Sequence, residues 1–370
     1  MTEPSCATSG GGRTPLLAVT CLAIVVCGVG SAHTLHGQDQ EVLLPHVHLV
    51  TTGGTIANAR TGRLSVEELA ASMPDLHRVA KLTYEQFANQ PSASLTLAQW
   101  LQLSHRINAL LAGDSTLHGV IVTSGTDTME ELAFFLHLTV RDDRPVVVTG
   151  AMRRPHWPGY EGTANLFQAI RVAASTEARG HGVLVVMNDE INSARDVTKT
   201  DAQRLHTFRS GDHGLVGIVD ADSVVFYRDV PKRHTRSSEF DVALVKELPL
   251  VEIILVYQGA SGSLIRAAVD EGAKAIVLAG AGAGGVAATQ VDALQYALDK
   301  GVVLIRGSRT GSGRVFRSEP ASDAPPVALR LRAASIPTGD HTPVKARILT
   351  MLALTRTDSR AELERIFREY

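Results

Sequence analysis

Two hydroxyl-rich turns carry the residues best equipped for chemistry. They are Thr51-Thr52-Gly53-Gly54-Thr55-Ile56-Ala57 and Thr123-Ser124-Gly125-Thr126-Asp127-Thr128. Each follows a β-branched apolar run, His46–Val50 or Gly119–Val122, so each reads as a strand ending in a tight turn. A threonine hydroxyl is a poor nucleophile at its own pKa. It needs a neighbour to take its proton and donors to stabilise the oxyanion that follows. Thr55 and Thr126 are the candidates, and Gly53 and Gly54 allow a sharp turn and close approach to a ligand. The plainer reading is a strand-ending turn with an N-cap threonine. Asp127 opens a helix, where it is either a cap or a ligand for an ammonium group. A third segment, Arg195-Asp196-Val197-Thr198-Lys199-Thr200, offers a lysine that could hold a threonine–aspartate pair. Taken alone, Lys199 reads as a solvated surface charge.

The elements that must position these groups alternate. Strands are expected at His46–Val50, Gly119–Val122, Pro145–Thr149 and Gly182–Met187, with helices at Ser65–Ser72, Thr96–Leu111, Thr128–Thr139 and Gly162–Ala174. Alternation implies parallel strands with helical crossovers, hence an α/β fold. A strand's carboxyl end is where such a sheet places its ligands. Val230–Leu248 is rich in charged and polar residues and reads as an interdomain linker. A second α/β unit follows: strand Val251–Tyr257, helix Gly262–Glu271, strand Ala275–Leu278, helix Ala288–Asp299 and strand Val302–Arg306. A final amphipathic helix is expected over His341–Thr355.

The 370 residues are 44% apolar and 20% charged with a net charge of −2, enough for a sizeable core and about two domains. No long charge run marks a nucleic-acid or membrane surface. Near the N-terminus, Arg13 precedes an apolar run from Leu16 to Val29, then Gly30-Ser31-Ala32. This pattern reads as a signal peptide over residues 1–32, cleaved after Ala32, and a periplasmic or secreted destination. An uncleaved anchor is the alternative, but the run is short for a span of about 20 residues. Neither Cys21 nor Cys27 has a lipobox before it. All three cysteines lie in this leader, so the mature chain has no disulfide or thiol nucleophile.

Together these stretches resemble the bacterial type II L-asparaginases, the asparaginase/glutaminase family of paired-threonine amidohydrolases. The resemblance runs from about Pro45 to Tyr370 through TTGGTIAN, VIVTSGTDTMEELAFFLHLTV, RPVVVTGAMR, GVLVVMNDEINSARDVTKT and KARILTMLALT. It implies a larger N-terminal, mostly parallel sheet sandwiched by helices, and a smaller C-terminal parallel α/β domain. The divisions expected are a 33–44 linker, a catalytic domain over 45–229, a 230–248 linker and a C-terminal domain over 249–370. It implies that Thr55 is the acyl-accepting nucleophile and that Thr126, Asp127 and Lys199 form a second triad. Asp127 would bind the substrate α-amino group and Ser92 its carboxylate, with Gly54 and Gly125 lining the substrate. No metal or organic cofactor is implied. The expected assembly is a homotetramer built from dimers, each site completed by a neighbour's C-domain. Three positions depart from the family. Its mobile-loop tyrosine falls at Ala59, the polar residue after its substrate serine at Ala93, and a C-domain asparagine at Ala283. Glu319 is the candidate for the neighbour-subunit carboxylate.

The expected reaction is hydrolysis of L-asparagine to L-aspartate and ammonia. Two alternatives stand beside it: a glutaminase-asparaginase of broader small-amide specificity, and an exported amino-acid-binding protein with weakened turnover. A binder has no need of Thr55 and Lys199 together. Gly280–Gly285 satisfies GxGxxG and Arg306 ends the next strand, a pairing that could seat a phosphorylated dinucleotide. A glycine-rich contact loop is the better reading of so short a motif. None of the 14 histidines, His46, His48, His206 and His213 included, has HExxH spacing. Glu67-Glu68 and Glu130-Glu131 are expected to face solvent. The Arg153–Tyr160 loop either borders the crevice or makes a subunit contact.

Overall fold

The β-branched run after Pro45 forms β1 (His46–Gly53), around which the N-terminal part is built. In a computed structural model that describes residues 44–73, 75–317 and 325–370, β1 pairs in parallel with β2 (Lys81–Gln90) and β3 (Leu117–Thr123). β4 (Val146–Thr149) and β5 (Val183–Met187) continue the parallel run. β6 (Glu190–Ser193), β7 (Gly217–Val219) and β8 (Val224–Phe226) extend it antiparallel, giving an eight-stranded order β8-β7-β6-β5-β4-β3-β1-β2. The expected leader and residues 33–43 lie outside the described residues, as does Glu319.

Successive side chains of a strand face opposite ways, and here both faces are buried. Val120 and Val122 of β3 enter one apolar cluster, while Ile121 enters the other. Helices α2 (Leu97–Gly113) and α3 (Met129–Thr139) cover the first face. Helices α1 (Val66–Ala71) and α4 (Gly162–Ala174) cover the second. α2 starts at a capping box, with Thr96 Oγ1 accepting from Gln99 N and Gln99 Oε1 from Thr96 N. Its stripe Trp100, Leu101, Ser104, Ile107 and Leu111 is buried at helical spacing.

The second sheet is parallel throughout, in the order β9 (Val251–Leu255), β10 (Ala275–Gly280), β11 (Val303–Ser308), β12 (Ile336–Pro337). Helices α5 (Ser263–Asp270), α6 (Val291–Asp299) and α7 (Pro326–Ala334) accompany it. α8 (Pro343–Leu354) packs against both this sheet and α3, so one apolar cluster runs through both parts. The helix expected over His341–Thr355 is therefore real but not final, because α9 (Arg360–Glu369) follows. Val230–Leu248 packs on the core: Phe240 and Val242 join it, and Ser238 Oγ donates to Leu138 O at 2.6 Å.

Candidate active site

Parallel pairing sets Thr51 beside Thr123, so β1 and β3 release their turns side by side. Thr52 Oγ1 ties them by donating to Thr123 O at 2.8 Å. Beyond that point the backbones touch. Gly54 has φ +89°, and a Cβ there would lie 2.4 Å from Gly125 Cα and N. A Cβ on Gly53 would meet Gln90 N at 2.4 Å, and one on Gly125 would meet Ser92 Oγ at 2.9 Å. Glycine is therefore required where three chain crossings converge. The result is one crevice edge formed by Thr55, Ser92, Gly125 and Thr126. Thr55 opens a half-buried 3-10 turn, Thr55–Ala57. Ser92 is buried, and its Oγ accepts from Thr128 N at 3.3 Å.

Lys199 arrives from another direction, on a two-residue strand, Thr198–Lys199, paired antiparallel with Phe208–Arg209. Its Nζ donates to Thr126 Oγ1 at 2.9 Å and to Asp127 Oδ1 at 2.8 Å. The lysine side chain is largely buried, whereas that of Asp127 is 78% exposed, leaving the carboxylate open to a ligand. Asp127 is not the helix cap; Thr128 occupies that position and α3 begins at Met129. The first-turn N–H groups of α3 thus lie at the crevice, where they favour negative charge.

Glu130 corrects one expectation. It does not face solvent: Oε2 accepts from Thr198 Oγ1 at 2.6 Å and Oε1 from Lys199 N at 3.1 Å. Glu131 is also withdrawn from water, and burial raises its pKa against the opposing charge of Arg347. Glu67 and Glu68 are exposed, as expected. From below, the buried Lys345 Nζ donates to Arg195 O at 2.7 Å and to Val197 O. Burial pulls its pKa down to about 8. Arg195 pairs with Asp196 at 3.0 Å and Asp340 at 2.8 Å, tying the Lys199 segment to the C-terminal part.

The loop after the first turn is a short hairpin, Asn58–Ala59 against Gly62–Arg63, with half-buried Ala59 at the expected tyrosine position. Arg63 Nη1 donates to Gly54 O at 3.3 Å. The Arg153–Tyr160 loop does reach the site, since Tyr160 Oη donates to Ile56 O at 3.0 Å. Ala93 and Ala283 are exposed. Gly280–Gly285 folds on itself through an Ala281–Gly285 bridge, and Arg306 spends its guanidinium on Ala283 O and Phe316 O, each at 3.1 Å. That loop is thus a self-contained turn. His46 and His48 share Thr83 Oγ1, and His213 lies 3.2 Å from Asp340. Among the described residues no group of three His, Cys, Asp or Glu is arranged to hold a metal, and no helix is long and apolar enough to cross a membrane. A cavity of about 500 Å³ lies beneath Thr198 and Thr200, lined by Arg195, Arg314, Asp340 and Lys345 rather than by either catalytic candidate threonine.

Of the residues nominated from the sequence, Lys199 meets Thr126 and Asp127 directly, Gly54 abuts Gly125, Gly125 abuts Ser92, and Thr55 follows Gly54 in the chain. Glu130, Tyr160 and Lys345 were not nominated. Glu130 lies beside a second glutamate and Tyr160 at the end of a polar loop, so neither stood out from its neighbours as a site residue.

Comparison with known proteins decides the family. The family description "Asparaginase, N-terminal" matches residues 46–232, and "Glutaminase/Asparaginase C-terminal domain" matches 250–367. The chain belongs to the asparaginase family. Within it, L-asparaginase 2 of Bacillus subtilis is 39% identical over 88% of this chain and 87% of that protein. The glutaminase-asparaginase of Pseudomonas fluorescens biotype A is also 39% identical, over 90% of this chain and 92% of its own length. In three dimensions, a probable cytoplasmic L-asparaginase from Campylobacter jejuni superposes with a TM-score of 0.81 at 37% identity, covering 88% of this chain and 99% of the other. The two-sheet α/β architecture is thus an asparaginase architecture.

Proposed function

We propose that this asparaginase hydrolyses the side-chain amide of L-asparagine to L-aspartate and ammonia. The observation that carries the reading is Lys199 Nζ bonded to both Thr126 Oγ1 and Asp127 Oδ1, with Gly54 against Gly125 holding Thr55's turn beside them. Asp127, exposed beside Lys199, binds the substrate ammonium, and Ser92 with the α3 N–H groups binds its carboxylate. Thr55 Oγ1 attacks the amide carbon as its proton leaves. Backbone N–H groups of the two turns stabilise the oxyanion, other than that of Gly54, which donates to Gln90 O. Collapse breaks the C–N bond, ammonia departs with the transferred proton, and an ester to Thr55 remains. Water positioned by Thr126 and Lys199 attacks that ester, releases aspartate and restores the hydroxyl.

The relatives named for asparagine and for glutamine are equally similar, which supports a second reading with activity on both amides. The hairpin after Thr55 carries Ala59 where the family has a tyrosine, a change at the site that bears on which amide is preferred. The N-terminal region 45–229 carries the chemistry, the strap 230–248 joins it to 249–370, and the assembly is a homotetramer. The leader Leu16–Val29 with Gly30-Ser31-Ala32 directs export to the periplasm or beyond.

Ammonia release from asparagine and from glutamine tests the reading. Thr55→Ala and Lys199→Met should each lower turnover by roughly 10³-fold or more. Tight asparagine binding without ammonia release would instead make the chain a binding protein. Release unchanged in Thr55→Ala would remove Thr55 as nucleophile.

A further inference from the structure

Thr55 opens a turn anchored downstream by buried Ile56 and Ala57, by Asn58 N donating to Thr55 O and by Leu64 N donating to Ala57 O at 2.7 Å. The 3-10 segment spans three residues, Thr55–Ala57, and its internal bond from Ala57 N to Gly54 O is 3.3 Å long. Such turns have poor hydrogen-bond geometry. Yet the carbonyls before and after Thr55 each receive a side-chain donor from a different segment. Arg63 Nη1 reaches Gly54 O at 3.3 Å, and Tyr160 Oη reaches Ile56 O at 3.0 Å.

The Tyr160 contact is built. Its ring packs on the apolar cluster that contains Ile56 and Ala57. The loop behind it is closed by Glu161, whose carboxylate accepts from Met152 N and from Arg153 N. The next residue, Gly162, makes room for the phenol: a Cβ there would lie 2.3 Å from Tyr160 Oη and 2.5 Å from the ring. Burial and the charge of Glu161 push the phenol's pKa up to about 12, so the hydroxyl keeps its proton to donate throughout the neutral range.

We propose that Tyr160 is a positioning residue for the nucleophile: with Arg63 it clamps the Thr55 turn so that Oγ1 faces the substrate amide. The inference rests on the amidohydrolase reading above. It assigns Tyr160 no contact with substrate. Its effect is on the orientation of Thr55, and so on kcat rather than on KM.

The experiment uses the full chain and four variants. Tyr160→Phe removes only the hydroxyl. It should lower kcat for asparagine roughly 5- to 30-fold, as expected for one lost hydrogen bond, and leave KM within about twofold. Amide hydrogen exchange at Ala57 should accelerate in the same variant. Gly162→Ala, which displaces the ring, should reproduce the kcat loss, whereas adding it to Tyr160→Ala should cost nothing further. Unchanged kcat in Tyr160→Phe overturns the proposal, even if the variant melts earlier, because a merely structural tyrosine does that. Equal losses from Gly162→Ala with and without Tyr160 also overturn it. Wild-type protein that releases no ammonia sinks the amidohydrolase reading and this one with it, and that outcome is seen before any variant is compared.

Discussion

Lys199 reaches two acceptors because a third residue fixes its backbone. Glu130 lies one helical turn past Thr126 and Asp127, and it binds both Lys199 N and Thr198 Oγ1. The turn leading into α3 therefore carries the two partners of the lysine ammonium, and the first turn of α3 orients the strand that delivers the lysine. Hydrogen bonds to a charged group contribute about 1.5–3 kcal/mol, more than neutral ones. Glu130→Ala should let Lys199 drift from Thr126 and cut kcat roughly 10- to 100-fold, the scale set by small misplacements of a catalytic group. Glu130→Gln keeps an acceptor and should lose less. Steady-state kinetics of ammonia release alongside thermal melts would separate the two; a Glu130→Ala variant with wild-type kcat removes this role.

At the scale of elements, the site depends on three chain crossings that tolerate no side chain in the wrong place. Gly54→Ala would put a Cβ 2.4 Å from backbone atoms of Gly125 at a φ of +89°, so neither partner can move aside cheaply. Gly125→Ala would mainly meet Ser92, with Oγ at 2.9 Å. That hydroxyl can rotate, but Ser92 Cβ at 3.0 Å and N at 3.1 Å would have to give by a few tenths of an ångström, a smaller demand than at Gly54. Gly54→Ala should therefore lose far more activity and soluble yield than Gly125→Ala, measured on matched preparations; the reverse order would contradict the crossing geometry. These turns were legible because apolar runs end abruptly in glycine and threonine. β2 was not, because Lys81–Gln90 is polar and only partly buried at the sheet edge. Ser92, at its end, was reached by resemblance and not by pattern. α9 was missed for a related reason: Leu363, Ile366 and Phe367 stand at helical spacing but are outnumbered by charges. Glu130 and Tyr160 act through single contacts to distant segments, and such contacts leave no local periodicity to read.

Across the whole molecule, both sheets meet around α3 and α8, and two fully buried histidines sit at that junction. His137 accepts from Val183 N, and its ring lies 4.8 Å from that of His234. His341 lies between Phe134 and Phe367, with ring centroids 5.7 and 5.9 Å away, and neither ring nitrogen has a partner among the described residues. Burial holds both pKa values well below 6.5, helped for each by the positive charges of Arg195 and Lys345. Asp340 opposes this at His341 but does not prevail. The unfolded chain therefore binds protons below pH 6.5 that the folded chain refuses, and stability falls as pH drops through that range. Each histidine contributes a slope of up to about 1.4 kcal/mol per pH unit. Between pH 6.5 and 5.5 burial lowers His48 and His234 as well, so they pull the same way as His137 and His341, but the wild type and a His341 variant share them. Lys345, lowered to about 8, acts only above that value; Asp340, held down by Arg195 although burial alone would raise it, acts only below 3.8. His341→Phe fills the same space among aromatic rings without a titrating group. Denaturant unfolding at pH 6.5 and 5.5 should show the wild type losing stability and the variant losing less, by up to about 1.4 kcal/mol. Equal losses in the two proteins would mean that His341 takes up protons no differently in the fold than in the unfolded chain, and that it does not help set the acid limit.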